Sequence, residues 1–426
     1  MTKGELRIAF LGGGREVGRS ALWIRGEKAS LLLDYGVKVG DPAPSFPLHV
    51  APRDLDAVVL THAHLDHSGA IPSLYISGRC PLYATLLTAK TMEVLIRDFI
   101  NLSGYYLPYE YHEVLKSLRH LRSVKPGDVV KVGEAKLSFI EAGHIPGGLQ
   151  VLVEVDGKRI LYTGDINTVD TRLLKGAPSI DEELDAVIIE ATYAGVEHPN
   201  RLDLEAEFVK SAAEVVEDGG VVLTPAFSLG RSQEILCVLE AYEFEHRIYL
   251  DGMARSISQI FLEHPSFFRD FELLRRALKR AKWVEGGSQR NKLCKKPGVI
   301  IAPAGMLKGG PAVHYAKRIA ESSRNAIFLV SYQIPGTPGH TLLHSGKLPI
   351  DGGQLEVKAQ VKWFDFSSHV GDSQLKKLLK ELSSKGSPKI FAIHGEEKSC
   401  LDLAEWVNRE LGLEAYAPKN GEIFNL

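Results

Sequence analysis

Asp56-Ala-Val-Val-Leu-Thr61 runs directly into His62-Ala-His64-Leu-Asp66-His67-Ser68-Gly69-Ala70. Residues 57–61 are apolar and largely β-branched, the pattern of a buried strand, and four potential metal ligands follow within six residues. In an extended chain, side chains two residues apart point the same way, so His62 and His64 can grip one ion. The chain then turns, and Asp66 and His67 are expected at a helix entrance capped by Ser68, facing a neighbouring second ion. Imidazole and carboxylate without thiolate suit zinc, with manganese or iron as alternatives. The competing reading is a histidine-rich surface turn, but such turns rarely follow a buried strand with this order of ligands.

Three distant positions have the same setting. His144 stands in Glu141-Ala-Gly-His-Ile-Pro-Gly-Gly148, Asp165 closes Leu161-Tyr-Thr-Gly-Asp165, and His394 lies in Ile390-Phe-Ala-Ile-His-Gly-Glu396. Each follows an apolar run, and the loops beyond strand ends are where sites assemble. Singly, each residue is as compatible with a cap or a satisfied core group. Together they complete two coordination shells.

The surrounding pattern is α/β. Strands are expected at 6–11, 30–34, 136–141 and 149–155, with helices at 88–102 and 110–121 between them. From about residue 195 the units lengthen: helix 203–217, strand 220–225 and helix 231–242 form a βα-type unit. Buried strands follow at 247–251, 299–303 and 325–331. A loop-like cluster, Leu348-Pro-Ile-Asp-Gly-Gly353, precedes a closing segment of helix 373–385, strand 388–393 and helix 398–412.

Composition excludes several classes. The chain has 426 residues, 44% of them hydrophobic, which is enough for two or three folded domains. No apolar run approaches the roughly 20 residues of a membrane span, and Met1-Thr-Lys-Gly-Glu-Leu-Arg7 lacks the apolar stretch of a signal peptide, so a cytoplasmic protein is expected. Cys80, Cys237, Cys294 and Cys400 are scattered, with no Cys-x-x-Cys pair for a zinc knuckle or redox motif. The formal net charge of −2 leaves any nucleic-acid surface to a local patch. One candidate is the stretch with Arg275, Arg276, Lys279, Arg280, Lys282, Arg290, Lys292, Lys295 and Lys296, which a solvated helix face would explain equally well.

His62-x-His64-x-Asp66-His67, the glycine-preceded His144 and the strand-end Asp165 resemble the signature of the metallo-β-lactamase superfamily. Ile188-Ile-Glu190-Ala-Thr-Tyr193, Phe364-Asp-Phe-Ser-Ser-His369 and the segment around His394 resemble motifs A, B and C of the β-CASP nucleases. The likeness covers nearly the whole chain, and it is greatest to prokaryotic and archaeal homologues of the cleavage and polyadenylation specificity factor endonuclease. It implies a four-layered αββα domain built from residues 1–194 and 353–426, interrupted by an inserted α/β β-CASP domain, 195–352, that closes over the active site. It further implies that His62, His64 and His144 bind one metal, that Asp66, His67 and His394 bind the other, and that Asp165 bridges them. Asp34 matches the superfamily's first motif and would orient a ligand histidine. Asp66, Glu190, His369 and Asp34 form the implied catalytic set, with His369 as proton donor supported by Glu190.

The chain departs from the family pattern at Ala191, where serine is commoner, at Pro146-Gly147-Gly148, and at His340 of Thr337-Pro-Gly-His340, where relatives often carry arginine. The activity implied is metal-dependent hydrolysis of single-stranded RNA with two Zn2+, or Mn2+ in their place, leaving a 5′-phosphate and a 3′-hydroxyl. Internal cleavage, trimming from the 5′ end, or both fit. A homodimer and RNA-processing partner proteins are compatible with it, and no membrane is. Substrate contacts are expected from Ser228 and Arg231 in Thr224-Pro-Ala-Phe-Ser-Leu-Gly-Arg231, where a helix N-terminus favours phosphate, and from Tyr332 as a stacking face. A DNA-processing β-CASP nuclease would share the chemistry. A small-molecule metallo-hydrolase of the superfamily would not account for the long insertion.

Overall fold

The computed structural model describes residues 6–40, 43–350 and 352–426. The reading of the first residues as free of a signal peptide concerns mainly positions outside this range, as does Asp351 of the loop-like cluster. The chain divides into two compact units: Met1–Asp170, Lys175–Glu197 and Ser368–Leu426 form the first, Thr171–Leu174 and His198–Ser367 the second.

The first unit contains two seven-stranded mixed sheets. One runs, in spatial order, Ile423–Asn425, Arg7–Gly12, Ala21–Arg25, Ser30–Leu33, Ala57–Val59, Leu82–Ala84 and Leu121–Ser123. The other runs Ala415–Tyr416, Lys389–Ile393, Ala186–Glu190, Lys158–Tyr162, Leu149–Val155, Ala135–Glu141 and Val129–Val132. Ile8, Phe10, Leu31 and Val59 of the first pack with Leu137, Val151, Ile188 and Phe391 of the second in one continuous core. The opposite face of the second sheet, with Leu161, Val187 and Ile189, packs on the helices Asp372–Ser383 and Glu397–Trp406 through Leu375, Leu379 and Leu403. Helices Leu86–Ser103 and Tyr111–Arg119 accompany the first sheet, giving the expected αββα layering.

Strands that are parallel to both neighbours are buried on both faces and read as unbroken apolar runs rather than alternations. Ala186-Val-Ile-Ile-Glu190 is such a run, fully buried, between Lys158–Tyr162 and Lys389–Ile393. Because all three point the same way, their carboxyl ends deliver residues 163–165, 190 and 394 to one edge of the sheet.

The second unit is an all-parallel six-stranded sheet in the order Lys282–Trp283, Ile248–Leu250, Gly298–Ala302, Val221–Pro225, Ala326–Leu329 and Gln360–Trp363. Gly298-Val-Ile-Ile-Ala302 is buried throughout. The helix Gly310–Ile319 covers one face through Ala312, Tyr315 and Ile319.

Two local expectations are corrected. Ser68 does not cap a helix entrance: it ends the short turn Leu65–Ser68, whose first flanking residue is His64, and its hydroxyl donates to the Ala63 carbonyl at 2.9 Å. A serine at the end of one turn has no free N–H ahead of it, so it turns back on its own backbone. The cluster 348–353 is not a loop but part of a hairpin, Lys347–Ile350 against Gly353–Glu356, with Leu348 opposite Leu355. Pro349 is tolerated because a two-stranded ribbon leaves it an edge position. No helix among the described residues is long and apolar enough to cross a membrane.

Candidate metal centre

Beyond the strand Ala57–Val59 the chain stays extended, which puts His62 and His64 on one side. It then tightens into the turn Leu65–Ser68, which swings Asp66 and His67 to the other. Gly36 makes room for that turn: a Cβ there would lie 1.8 Å from the Asp66 carbonyl oxygen and 2.6 Å from the His67 nitrogen. His144, Asp165 and His394 arrive from three loops of the second sheet. The donors of His62, His64, His144 and Asp165 lie within 4.8 Å of one another, and so do those of Asp66, His67 and His394.

Asp165 stands between the groups, and its two oxygens face different partners. Oδ2 is 3.4 Å from His62 Nε2 and 3.6 Å from His144 Nε2. Oδ1 is 3.2 Å from His67 Nε2 and 3.6 Å from His394 Nε2, which is itself 3.5 Å from Asp66 Oδ2. His64 turns its Nδ1 inward, 3.2 Å from His144 Nε2. Most of these separations exceed a good hydrogen bond, and His62 Nε2 and Asp165 Oδ1 are buried with no hydrogen-bond partner among the described residues. Orphaned buried polar atoms are costly. Imidazoles and carboxylates converging on two shared points, without a thiolate, are the donor set of divalent cations such as zinc.

The far side of the rings is also occupied. His67 Nδ1–H donates to Asp34 Oδ2 at 2.8 Å, and His144 Nδ1–H donates to the Ser368 carbonyl at 2.8 Å. The Thr61 hydroxyl donates to Asp34 Oδ2 and sits 3.1 Å from His62 Nδ1, while Ser20 Oγ is 2.7 Å from His394 Nδ1. An oxygen at Nδ1 selects the tautomer that leaves Nε2 bare for a cation. Asp34 is the hub: fully buried, it also accepts the Thr61 N–H at 2.8 Å and the Tyr162 hydroxyl at 2.9 Å. Neither Ser20, Thr61, Tyr162 nor Ser368 was among the residues singled out from the sequence. Ser20 ends a run with glycines at 12, 13, 14 and 18, and that glycine content is the only signal that could have drawn attention to it.

Electrostatics follow the geometry. Burial, and then the neighbouring His62, holds His64 down to about 3, and burial likewise depresses His144 and His394, so all three are neutral bases at neutral pH. For Asp165, burial pushes upward but is outweighed by His67, His394 and His62, and the carboxyl stays well below its ordinary range. His67 shows the opposite balance: burial would lower it, yet Asp165 and Asp34 on either side raise it well above the usual imidazole value.

Glu190 and His369 adjoin this cluster. Glu190 ends its strand fully buried; its Oε1 accepts the Ile166 N–H at 2.6 Å and its Oε2 accepts His369 Nδ1–H at 2.8 Å. The pair and Asp165 bring ligand-type atoms within 4.8 Å of one another, and the His369 ring lies 4.4 Å from that of His144. Burial acts to lower His369, but the Glu190 charge and hydrogen bond prevail and push it up to about 9.

The expected substrate contacts lie in the second unit, on loops that leave adjacent parallel strands. Ser228 and Arg231 follow Val221–Pro225, with Arg231 opening the helix Arg231–Ala241, and the half-exposed Tyr332 follows Ala326–Leu329. Of the basic stretch, Arg275 pairs with Glu272, Arg276 and Arg280 pair with Glu240, and Arg290 holds the buried Asp251 at 2.7 Å. Arg290 is thereby structural rather than part of an open patch.

An αββα sandwich with this centre at its loop edge defines a metallo-hydrolase of the metallo-β-lactamase type. The sequence matches the metallo-beta-lactamase superfamily over residues 14–204, the Beta-Casp domain over 232–342, and a Zn-dependent metallo-hydrolase RNA specificity domain over 354–418. "RNase aCSPSF2" of Saccharolobus solfataricus is 43% identical over 98% of this chain and 85% of its own length. "Probable RNase MJ4" of Methanocaldococcus jannaschii is 36% identical over 98% and 99%, and "Transcription termination factor FttA" of a Lokiarchaeum species is 34% identical over 98% and 71%. A crystal structure of a protein of unknown function from Enterococcus faecalis superposes with a TM-score of 0.64 at 15% identity, covering 99% of this chain and 100% of that one, which is a likeness of fold. The chain belongs to the β-CASP family of the metallo-β-lactamase superfamily.

Proposed function

We propose that the chain is a metal-dependent ribonuclease that hydrolyses phosphodiester bonds of single-stranded RNA at a two-zinc centre. The observation that carries the reading is the division of Asp165, one oxygen toward His62 and His144 and the other toward His67 and His394. His62, His64 and His144 would hold one ion and Asp66, His67 and His394 the other, with Asp165 shared. Bound there, divalent ions supply Lewis acidity, neutralising phosphate charge and making water acidic enough to attack near neutral pH.

The remaining steps belong to side chains. Asp66, Asp165 and the depressed imidazoles stay unprotonated, so no proton competes with a cation at His64, His144 or His394. Glu190 holds His369 by Nδ1 and keeps it protonated, which leaves Nε2–H to give a proton to the departing 3′ oxygen; this step is worth about 10²–10⁴-fold in such reactions. Asp34 and the Ser368 carbonyl prevent ligand rings from turning. Ser228 and Arg231 at a helix N-terminus suit backbone phosphate, and Tyr332 suits base stacking. The names of the similar archaeal proteins, two of them RNases, favour RNA over DNA.

The test is cleavage of 5′-labelled and internally labelled RNA, and of matching DNA, by wild type, His64→Ala and His369→Ala, with and without chelator. Loss of RNA cleavage in both variants and under chelation is expected, with DNA cut poorly. Cleavage by all three proteins regardless of chelator would refute the mechanism.

A further inference from the structure

Ser20 lies 374 residues from His394 in sequence, yet its Oγ is 2.7 Å from His394 Nδ1 and 3.5 Å from His67 Nε2. The side chain is fully buried, so bulk water cannot take its place. Its backbone is tied on both sides: Ser20 N–H donates to the Asp66 carbonyl at 2.7 Å, and the Gly36 N–H donates to the Ser20 carbonyl at 2.9 Å. The same loop holds the backbone of His394, whose N–H donates to the Gly13 carbonyl at 2.7 Å. His394 needs that support, because its φ of +49° is in the left-handed region that a β-carbon disfavours. Gly14 locks the loop in turn. Its N–H donates to Asn420 Oδ1 at 2.8 Å, and a Cβ there would lie 2.7 Å from the Pro418 carbonyl oxygen.

The direction of the Ser20 bond follows from chemistry. If the hydroxyl donated to Nδ1, the neutral His394 would carry its proton on Nε2 and point an N–H at Asp66 and Asp165. If the hydroxyl accepts, the proton sits on Nδ1 and Nε2 presents a lone pair between the two carboxylates. Only the second arrangement ligates a cation. Each of the four rings with an outer partner has its own: Asp34 for His67, Thr61 for His62, Ser368 for His144 and Ser20 for His394. Ser20 is the one that serves Asp66, His67 and His394 without touching the group around His62.

We propose that Ser20 is a positioning residue that fixes the ring and tautomer of His394 and thereby sets the affinity for the ion at Asp66, His67 and His394, leaving the ion at His62, His64 and His144 unaffected. The proposal rests on the two-ion reading, and the experiment separates the two. Metal-stripped full chain, as wild type, Ser20→Ala and Ser20→Thr, is titrated with Zn2+ by calorimetry and with Co2+ by visible absorption, and the metal-free melting temperatures are compared. Wild type is expected to take two ions. Ser20→Ala should take the first as wild type does and the second roughly 10- to 100-fold more weakly, as for other partners of ligand histidines. Ser20→Thr, which keeps the hydroxyl, should recover most of that loss. Equal affinities in Ser20→Ala, or an equal loss at both sites, would overturn the proposal, while a wild type that takes up fewer than two ions would refute the two-ion reading itself. As a second readout independent of any variant, nitrogen NMR of 15N-histidine-labelled, zinc-loaded wild type should show the His394 proton on Nδ1; a proton on Nε2 would overturn the assignment.

Discussion

Replacing Asp34 by asparagine keeps the outline of the side chain while removing its charge and one of its acceptors. Asp34 Oδ1 accepts the Thr61 N–H, and Oδ2 accepts the Thr61 hydroxyl, His67 Nδ1–H and the Tyr162 hydroxyl, all at 2.8–2.9 Å in a fully buried setting. An amide has one oxygen and one NH2. With its oxygen in the Oδ2 position it opposes NH2 to the Thr61 N–H; turned over, it opposes NH2 to three donors. The first arrangement is the cheaper, and a buried donor left unpaired costs about 1–3 kcal/mol, with more lost where a charge-assisted bond becomes neutral. A total of about 2–4 kcal/mol in the metal-free protein corresponds to a melting temperature lower by roughly 5–15 °C. His67 keeps an oxygen at Nδ1 but loses a carboxylate, so affinity for the ion it holds should fall about 10- to 100-fold. Calorimetric titration of the stripped protein with Zn2+, alongside scanning calorimetry of the metal-free forms, measures both quantities. An Asp34→Asn protein that melts within about 2 °C of wild type and binds both ions unchanged would show that this carboxylate is a bystander.

Three further outcomes are expected. Glu190→Gln removes the charge that raises His369 to about 9; the protonated, acid-competent form is present below that value and lost as pH rises through it. The basic limb of kcat/KM should therefore move down toward about 6.5, giving a fall of about fourfold at pH 7 and about 80-fold at pH 8.5 from protonation alone; an equal loss at both pH values would contradict this assignment. Metal loading near neutral pH should release a proton from His67, whose proton is held by Asp165 and Asp34 until a cation replaces it. Titrations in buffers of different ionisation enthalpy should differ accordingly, and identical heats would count against His67 as a ligand. Gly36→Ala forces its methyl against the Asp66 carbonyl, so metal content measured by mass spectrometry should drop and cleavage with it; full occupancy in a normally folded variant would show that the turn can shift at no cost.

The six residues from His62 to His67 were legible because their chemistry is local: an apolar strand, an extended pair and a turn place all four side chains within one stretch of chain. The parallel strands were legible for a similar reason, since burial on both faces leaves runs such as Val221–Leu223 and Val299–Ala302 unbroken by polar residues. What composition and periodicity lacked was partnership. Nothing in residues 388–393 tells which sheet they join, and the motif order rather than the pattern indicated that the chain returns to its first unit. Ser20 was invisible because its meaning depends on a ring 374 residues away. Ser68 was misread because a serine beside a turn signals a cap only when the turn lies ahead of it. The hairpin at 347–356 was missed because a proline and two glycines outweighed the alternation that buries Leu348.

The strand Lys389–Ile393 pairs with both Ala186–Glu190 and Ala415–Tyr416, and the chain running out of it carries His394. A polypeptide still on the ribosome, translated only as far as Ser367, already has His62, His64, Asp66, His67, His144 and Asp165 but has neither His369 nor His394. Its sheet is unfinished, and Glu190 has no His369 to hold. The order of synthesis thus leaves the group of Asp66, His67 and His394, and the pair of Glu190 and His369, incomplete until most of the chain has been made.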